Sequence, residues 1–154
     1  MTRLADVIRS LKVSYPDRAN EWMLATVLFL WGCVLQGNPG LFATSASYGP
    51  LGDLMPQPTW ALLCFGAGAA RLVALAINGA YRRTPHMRAG TAFLSCLFWF
   101  YISLGFLQSG AWSTGLAVYP VFLWFDGHNV LRVAAEAAVI DRKNAGRRHH
   151  GNYT

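Results

Sequence analysis

Four long apolar blocks, roughly 22–36, 59–80, 89–108 and 112–133, are separated by short segments that hold most of the Lys and Arg. A helix rises about 1.5 Å per residue, so about 20 residues cross a hydrocarbon core of about 30 Å, and the last three blocks meet that length. The first block is short. It must borrow from 37–42 or thin the bilayer around it. The pattern predicts an all-α, polytopic membrane protein with four transmembrane helices. They cover about 16–37, 58–80, 89–108 and 112–134 inside a domain of residues 15–146.

Charge placement sets the expected orientation. Arg3, Arg9, Lys12 and Arg18 precede the first span; Arg82, Arg83 and Arg88 lie between the second and third; Arg142, Lys143, Arg147 and Arg148 follow the fourth. These are eleven of the thirteen basic residues, and segments 37–58 and 109–111 hold none. Because translocation of Lys and Arg is opposed, both termini and the 81–88 loop are expected in the cytoplasm, with the protein multi-pass in its membrane. Arg82, Arg83, Arg88, Arg142 and Lys143 then form a cytoplasmic basic face. Small residues at 43–47 after a basic leader suggest a secretory signal, but the leader is long for that class.

Composition narrows the function classes. In 154 residues, 54% are hydrophobic and 13% charged, with mean hydropathy +0.30. The net charge of +6 and pI near 9.7 would suit nucleic acid, yet the charges sit where anionic lipid would place them. The expected partners are the lipid bilayer, including its anionic lipids, and further copies of the chain or a larger membrane assembly. Nucleic acid is not expected.

At the N-terminus, Leu4, Val7, Ile8 and Leu11 recur at helical spacing opposite Arg3, Asp6, Arg9 and Lys12. Residues 1–14 are read as an amphipathic helix that lies in the headgroup region or packs on protein. Pro16 suits the first turn of a new helix, whose positive end Asp17 and Glu21 would favour. Gly146 is read as the last stop, followed by a mobile basic tail over 147–154. Segment 37–58 carries one charge, Asp53, among many apolar residues. It is expected to cap the bundle or rest on the outer membrane surface, with a vestibule or partner contact as the other reading.

Arg71 and Asp126 lie at matching depths in the second and fourth spans. A charge at that depth demands a partner, so the two are expected to pair. Asn78 lies two turns from Arg71 and Asn129 one turn from Asp126, which extends the pair into a polar strip. The strip is either a clamp fixing helix register or an ion path. Gly66, Ala70 and Ala74 share a face on which another helix could pack closely. Pro120 should kink the fourth span. Trp22, Trp60 and Trp112 are placed at the interfaces, and residues 98–101 in core or lipid-facing packing.

Chemistry is sparse. Asp126-Gly127 opens like the motif of lipid phosphotransferases that handle CDP-alcohols, but the rest of that motif is missing. Gly-x-Ser-x-Gly, His-Glu-x-x-His and phosphate-binding loops are absent. His128 reads as a hydrogen-bonded interior or interface residue, adjacent His149 and His150 as ordinary tail residues, and Cys33, Cys64 and Cys96 as small buried hydrophobes. No catalytic, metal or cofactor site is predicted, and an enzyme is not expected.

The stretch 70–79, continuing through Arg82-Arg83-Thr84-Pro85-His86-Met87-Arg88, together with 113–120, resembles small, mostly uncharacterised membrane proteins of tailed bacteriophages, some of which carry a holin label. The resemblance implies a phage-encoded, multi-pass protein of the bacterial inner membrane, acting in lysis, in membrane modification during genome entry, or in exclusion of other phages. Four spans exceed those of the best-known holins. The expected function is a non-enzymatic, oligomeric, holin-like pore or lesion. A membrane adaptor for a protein partner, or a small transporter lined by the Arg-Asp strip, is the alternative.

Overall fold

The computed structural model describes the backbone of residues 2–80 and 85–151 and the side chains of 18–78 and 86–142. Every regular element among them is helical. Helix α1 (Thr2–Gly37) leads into a short α2 (Leu41–Thr44), a 3-10 turn (Ala46–Tyr48) and α3 (Gly49–Leu54). Three long helices follow: α4 (Gln57–Ala80), α5 (Pro85–Gln108) and α6 (Gly115–Gly151).

Burial repeats every three or four residues on all four long helices. On α1 it falls at Glu21, Leu24, Leu28, Trp31 and Leu35; on α4 at Trp60, Cys64, Ala67, Arg71, Ala74 and Asn78. On α5 it runs Arg88, Ala92, Ser95, Trp99, Ile102, Phe106, and on α6 Asp126, Asn129, Val133, Ala137. A spacing alternating three and four keeps one seam facing a partner, as in left-handed bundles. The main pairings are α1 with α4 and α5 with α6, joined through α4 and α5.

Glycines let the first pair approach closely. A Cβ on Gly32 would lie 2.8 Å from the Ala61 carbonyl oxygen, and one on Gly68 would lie 2.5 Å from the Phe29 backbone nitrogen. The expected packing residues behave differently. Gly66 and Ala70 face outward, and nothing lies within 4 Å of a Cβ built on Gly66; only Ala74 is buried. The reason is helical phase: with Arg71 inward, Gly66, five residues away, points about 140° from it.

Element boundaries also shift. α1 runs without a break through Pro16, which removes one backbone donor while Leu11, Lys12, Ala19 and Glu21 around it favour helix. The side chains of 1–17, and with them the amphipathic face expected for 1–14, lie outside the described residues. α5 begins at Pro85, where a missing N–H costs little. α6 begins at Gly115 because the carbonyls of Ser113 and Thr114 take its first bonds, and it passes through Pro120 and Gly146 to Gly151. A turn at Gly110, with φ of 65°, follows α5.

Segment 38–56 folds back over the bundle end. Leu51 is buried there, its carbonyl accepting the Trp60 indole N–H at 2.9 Å. Trp60 is thus fully buried and not an interface ring, while Trp112 is 97% exposed. Gln57 latches the segment: its Nε2 donates to the carbonyls of Leu35 (2.9 Å) and Asn38 (2.5 Å), and its Oε1 accepts from the Phe42 amide at 2.9 Å.

Among the described residues, two helices are long and apolar enough to cross a membrane, over Gln57–Asn78 and His86–Gln108. α1 has a shorter apolar run, and α6 carries Asp126, His128, Asn129 and Arg132 in its own.

Candidate functional site

The inward seam carries three layers along the bundle. In the middle, Arg71 of α4 meets Asp126 of α6, both buried to 1% exposure or less. Nη1 donates to Oδ2 at 2.7 Å, and Nη2 lies 2.6 Å from Oδ1. Ser95 of α5 donates its hydroxyl to the same Oδ2 at 2.5 Å. One carboxylate therefore joins three helices. Oδ2 accepts from one guanidinium nitrogen and a hydroxyl, and Oδ1 is held by the second guanidinium nitrogen as an ionic contact, which offsets part of the cost of burying the charges.

Asn78 and Asn129 are buried beyond this pair, toward the end of the bundle that carries most of the basic residues. The seam then reaches a second ionic layer. Arg88 of α5 donates to Glu21 of α1 through Nη2 at 2.6 Å and Nε at 3.3 Å, and to Glu136 of α6 through Nη1 at 2.9 Å. Arg132 of α6 donates to the same Glu21 oxygen at 2.5 Å. Two cations and two anions balance. Further out, His86 and Asp141 sit 3.2 Å apart in the open.

At the opposite end the seam is aromatic. Trp31 donates its indole N–H to the Tyr119 hydroxyl at 3.2 Å, and Trp99 stacks on Tyr119 with ring centres 6.1 Å apart. Phe106 packs against both Tyr119 and Tyr48, at 4.6 and 5.0 Å. Burial, with Tyr119 beside it, pushes the Tyr48 phenol above its ordinary pKa. The polar column thus ends against a hydrogen-bonded aromatic plug.

The structure brings Arg71 and Asp126 into contact and buries Asn78 and Asn129 on the same seam. It does not leave Arg88 on a basic face: that side chain is 3% exposed and turned inward, because Glu21 and Glu136 offer it two carboxylates. Glu21 serves as this buried partner and not as a first-turn residue, since α1 begins far upstream of it. Arg142 is exposed; Arg82, Arg83 and the Lys143 side chain lie outside the described residues. The sequence pattern does not single out Ser95, Arg132, Glu136 or Gln57, and it marks Glu21 only as a first-turn residue. The depth argument that paired Arg71 with Asp126 applies equally to Glu21, Arg88 and Arg132, which all lie toward the same, basic end of the bundle.

Among the described residues, no group of three or more His, Cys, Asp and Glu side chains could hold a metal, and all three cysteines are free thiols. His128 lies exposed on the outer side of α6. Chemically the site is a set of matched charges holding helices together, with no poised nucleophile. Compared with known proteins, the chain matches no protein-family model, no curated protein and no solved structure.

Proposed function

We propose that the chain is a non-enzymatic, four-span protein of a bacterial inner membrane, with both termini in the cytoplasm, and that it acts by self-association as a holin-like lesion former. The outward surface supports membrane insertion. Only 44% and 33% of the apolar windows of α4 and α5 are buried, where the core helix of a soluble protein would be mostly buried. Leu62, Val73, Phe93, Trp124 and Leu131 are each more than half exposed. The positions of Lys and Arg support the orientation.

The observation that carries the functional reading is the sealed interior. The column of Arg71, Asp126, Asn78 and Asn129 stops at the Trp31–Tyr119 plug, and its charges are matched. Flux through a single copy would have to break both. An aqueous lesion is therefore assigned to the space between copies, and outward Gly66 and Ala70 on α4 provide a surface on which helices can approach in lipid.

The experiment is membrane potential, read by a voltage-sensitive dye, in bacteria induced to make the protein at a level checked by immunoblot. Abrupt collapse is expected with the wild type, and delay or loss of collapse with Gly66→Leu/Ala70→Leu at matched abundance. A steady potential with abundant wild-type protein would overturn the lesion reading in favour of a membrane adaptor.

A further inference from the structure

Asn129 of α6 is 2% exposed, and among the described residues nothing accepts a hydrogen bond from its Nδ2. An amide N–H taken out of water and left unpaired is costly, so buried groups of this kind are satisfied by protein or by ordered water. One turn away, Asp126 Oδ1 meets Arg71 Nη2 at 2.6 Å as an ionic contact and accepts no hydrogen bond. Residues three apart on a helix are neighbours, with about 5–6 Å between their Cβ atoms. The two polar groups do not meet directly, and one water between them spans such a gap.

The neighbouring helices leave room at that height. Arg71 and Ser95 both meet Asp126, so one turn toward the basic end from each reaches Ala74 on α4 and Ala92 on α5, level with Asn129. Glu21 meets Arg88, and four residues further along both helices Ala25 of α1 stands level with Ala92. All three alanines are at 2% exposure or less. Each contributes only a methyl group where a larger side chain would fill the space beside the amide, and a buried water needs such room together with polar partners.

Charge selects a neutral occupant. The Arg71–Asp126 pair lies on one side and the balanced layer of Glu21, Arg88, Arg132 and Glu136 on the other, so an added ion would be buried without a counter-charge. An apolar occupant would leave the Asn129 N–H unpaired.

We propose that an ordered water molecule is bound between the two ionic layers, accepting from Asn129 Nδ2 and donating to Asp126 Oδ1. The water extends the Arg71–Asp126–Ser95 cluster by one turn along α6. The site depends on interior packing alone and stands whether or not copies of the chain associate.

The test is NMR of the full chain in deuterated detergent, with ¹⁵N-labelled asparagine, reading magnetisation transfer from water to the side-chain amides. Dipolar contact with a long-lived water changes sign between laboratory-frame and rotating-frame measurements, whereas proton exchange keeps one sign. A sign-changing water contact at the Asn129 amide is expected, with exchange alone at exposed Asn38. Ser95→Ala removes the nearby exchangeable hydroxyl and should leave that contact in place; its disappearance would assign the signal to the hydroxyl and overturn the proposal. An Asn129 amide that exchanges slowly yet shows no water contact would also overturn it, since Nδ2 would then donate to the protein itself. So would exchange alone at Asn129, because the amide would face bulk solvent.

Discussion

Glu21 of α1 and Arg88 of α5, 67 positions apart in sequence, form a buried ion pair with Nη2 2.6 Å from Oε1. The same carboxylate oxygen also accepts from Arg132 of α6, so one acidic side chain ties three helices at the basic end of the bundle.

Removing that charge should destabilise the fold far more than removing its exposed neighbour. Glu21→Gln leaves Arg88 and Arg132 competing for what remains, an expected loss of about 3–5 kcal/mol. Glu136 is 46% exposed, and Glu136→Gln should cost about 0–1 kcal/mol. Unfolding in detergent at fixed protein concentration measures both; equal losses would contradict the assigned roles.

The Arg71–Asp126 pair should behave as a clamp. Asp126→Asn is expected to lower abundance and stability, because it leaves a buried guanidinium without its counter-charge, a loss of about 3–5 kcal/mol. The double change Arg71→Met/Asp126→Leu should recover much of that loss, since apolar replacement of a whole buried pair is often neutral or better. A single variant that folds like the wild type would remove the clamp.

How much of this was legible in the sequence differs from residue to residue. Depth along the spans was enough to join Arg71 with Asp126, because an intramembrane charge has few choices of partner. Arg88 was misread because the positive-inside rule assigns a residue to a side of the membrane and says nothing of whether it points inward. Gly66 was misread because the small-residue run 66–70 offers more than one face. Fixing the phase from Arg71 would have shown Gly68, three residues away and about 60° around the helix, as the inward glycine. Gln57 gave no signal, since its bonds go to backbone carbonyls and an amide that no side-chain pattern encodes.

Glycine substitutions along α4 should therefore separate cleanly. Gly68→Ala drives a methyl into the Phe29 backbone and should cost about 1–3 kcal/mol, as should Gly32→Ala against Ala61 and Phe65. Gly66→Ala meets open space and should be neutral or stabilising by up to about 1 kcal/mol through helix propensity. Thermal unfolding of the three variants in one detergent checks the order; a costly Gly66→Ala with a tolerated Gly68→Ala would reverse the packing.

Gln57 is expected to hold the 38–56 segment against the bundle. Gln57→Leu forfeits three hydrogen bonds and leaves a buried carbonyl unpaired, costing about 1–3 kcal/mol. Limited proteolysis should cut within 38–56 faster in this variant than in the wild type, with the long helices intact. Unchanged cleavage would place the latch elsewhere.

The claim on which the rest depends is that four helices cross the bilayer with the ionic layer of Glu21, Arg88, Arg132 and Glu136 on the cytoplasmic side. Alkaline phosphatase, active only outside the inner membrane, can be fused after Ser45, Ala111 or Arg142 and its activity compared at matched expression. High activity after Ser45 and Ala111 with none after Arg142 is the predicted result; activity after Arg142, or none after Ser45 and Ala111, would contradict the four-span arrangement.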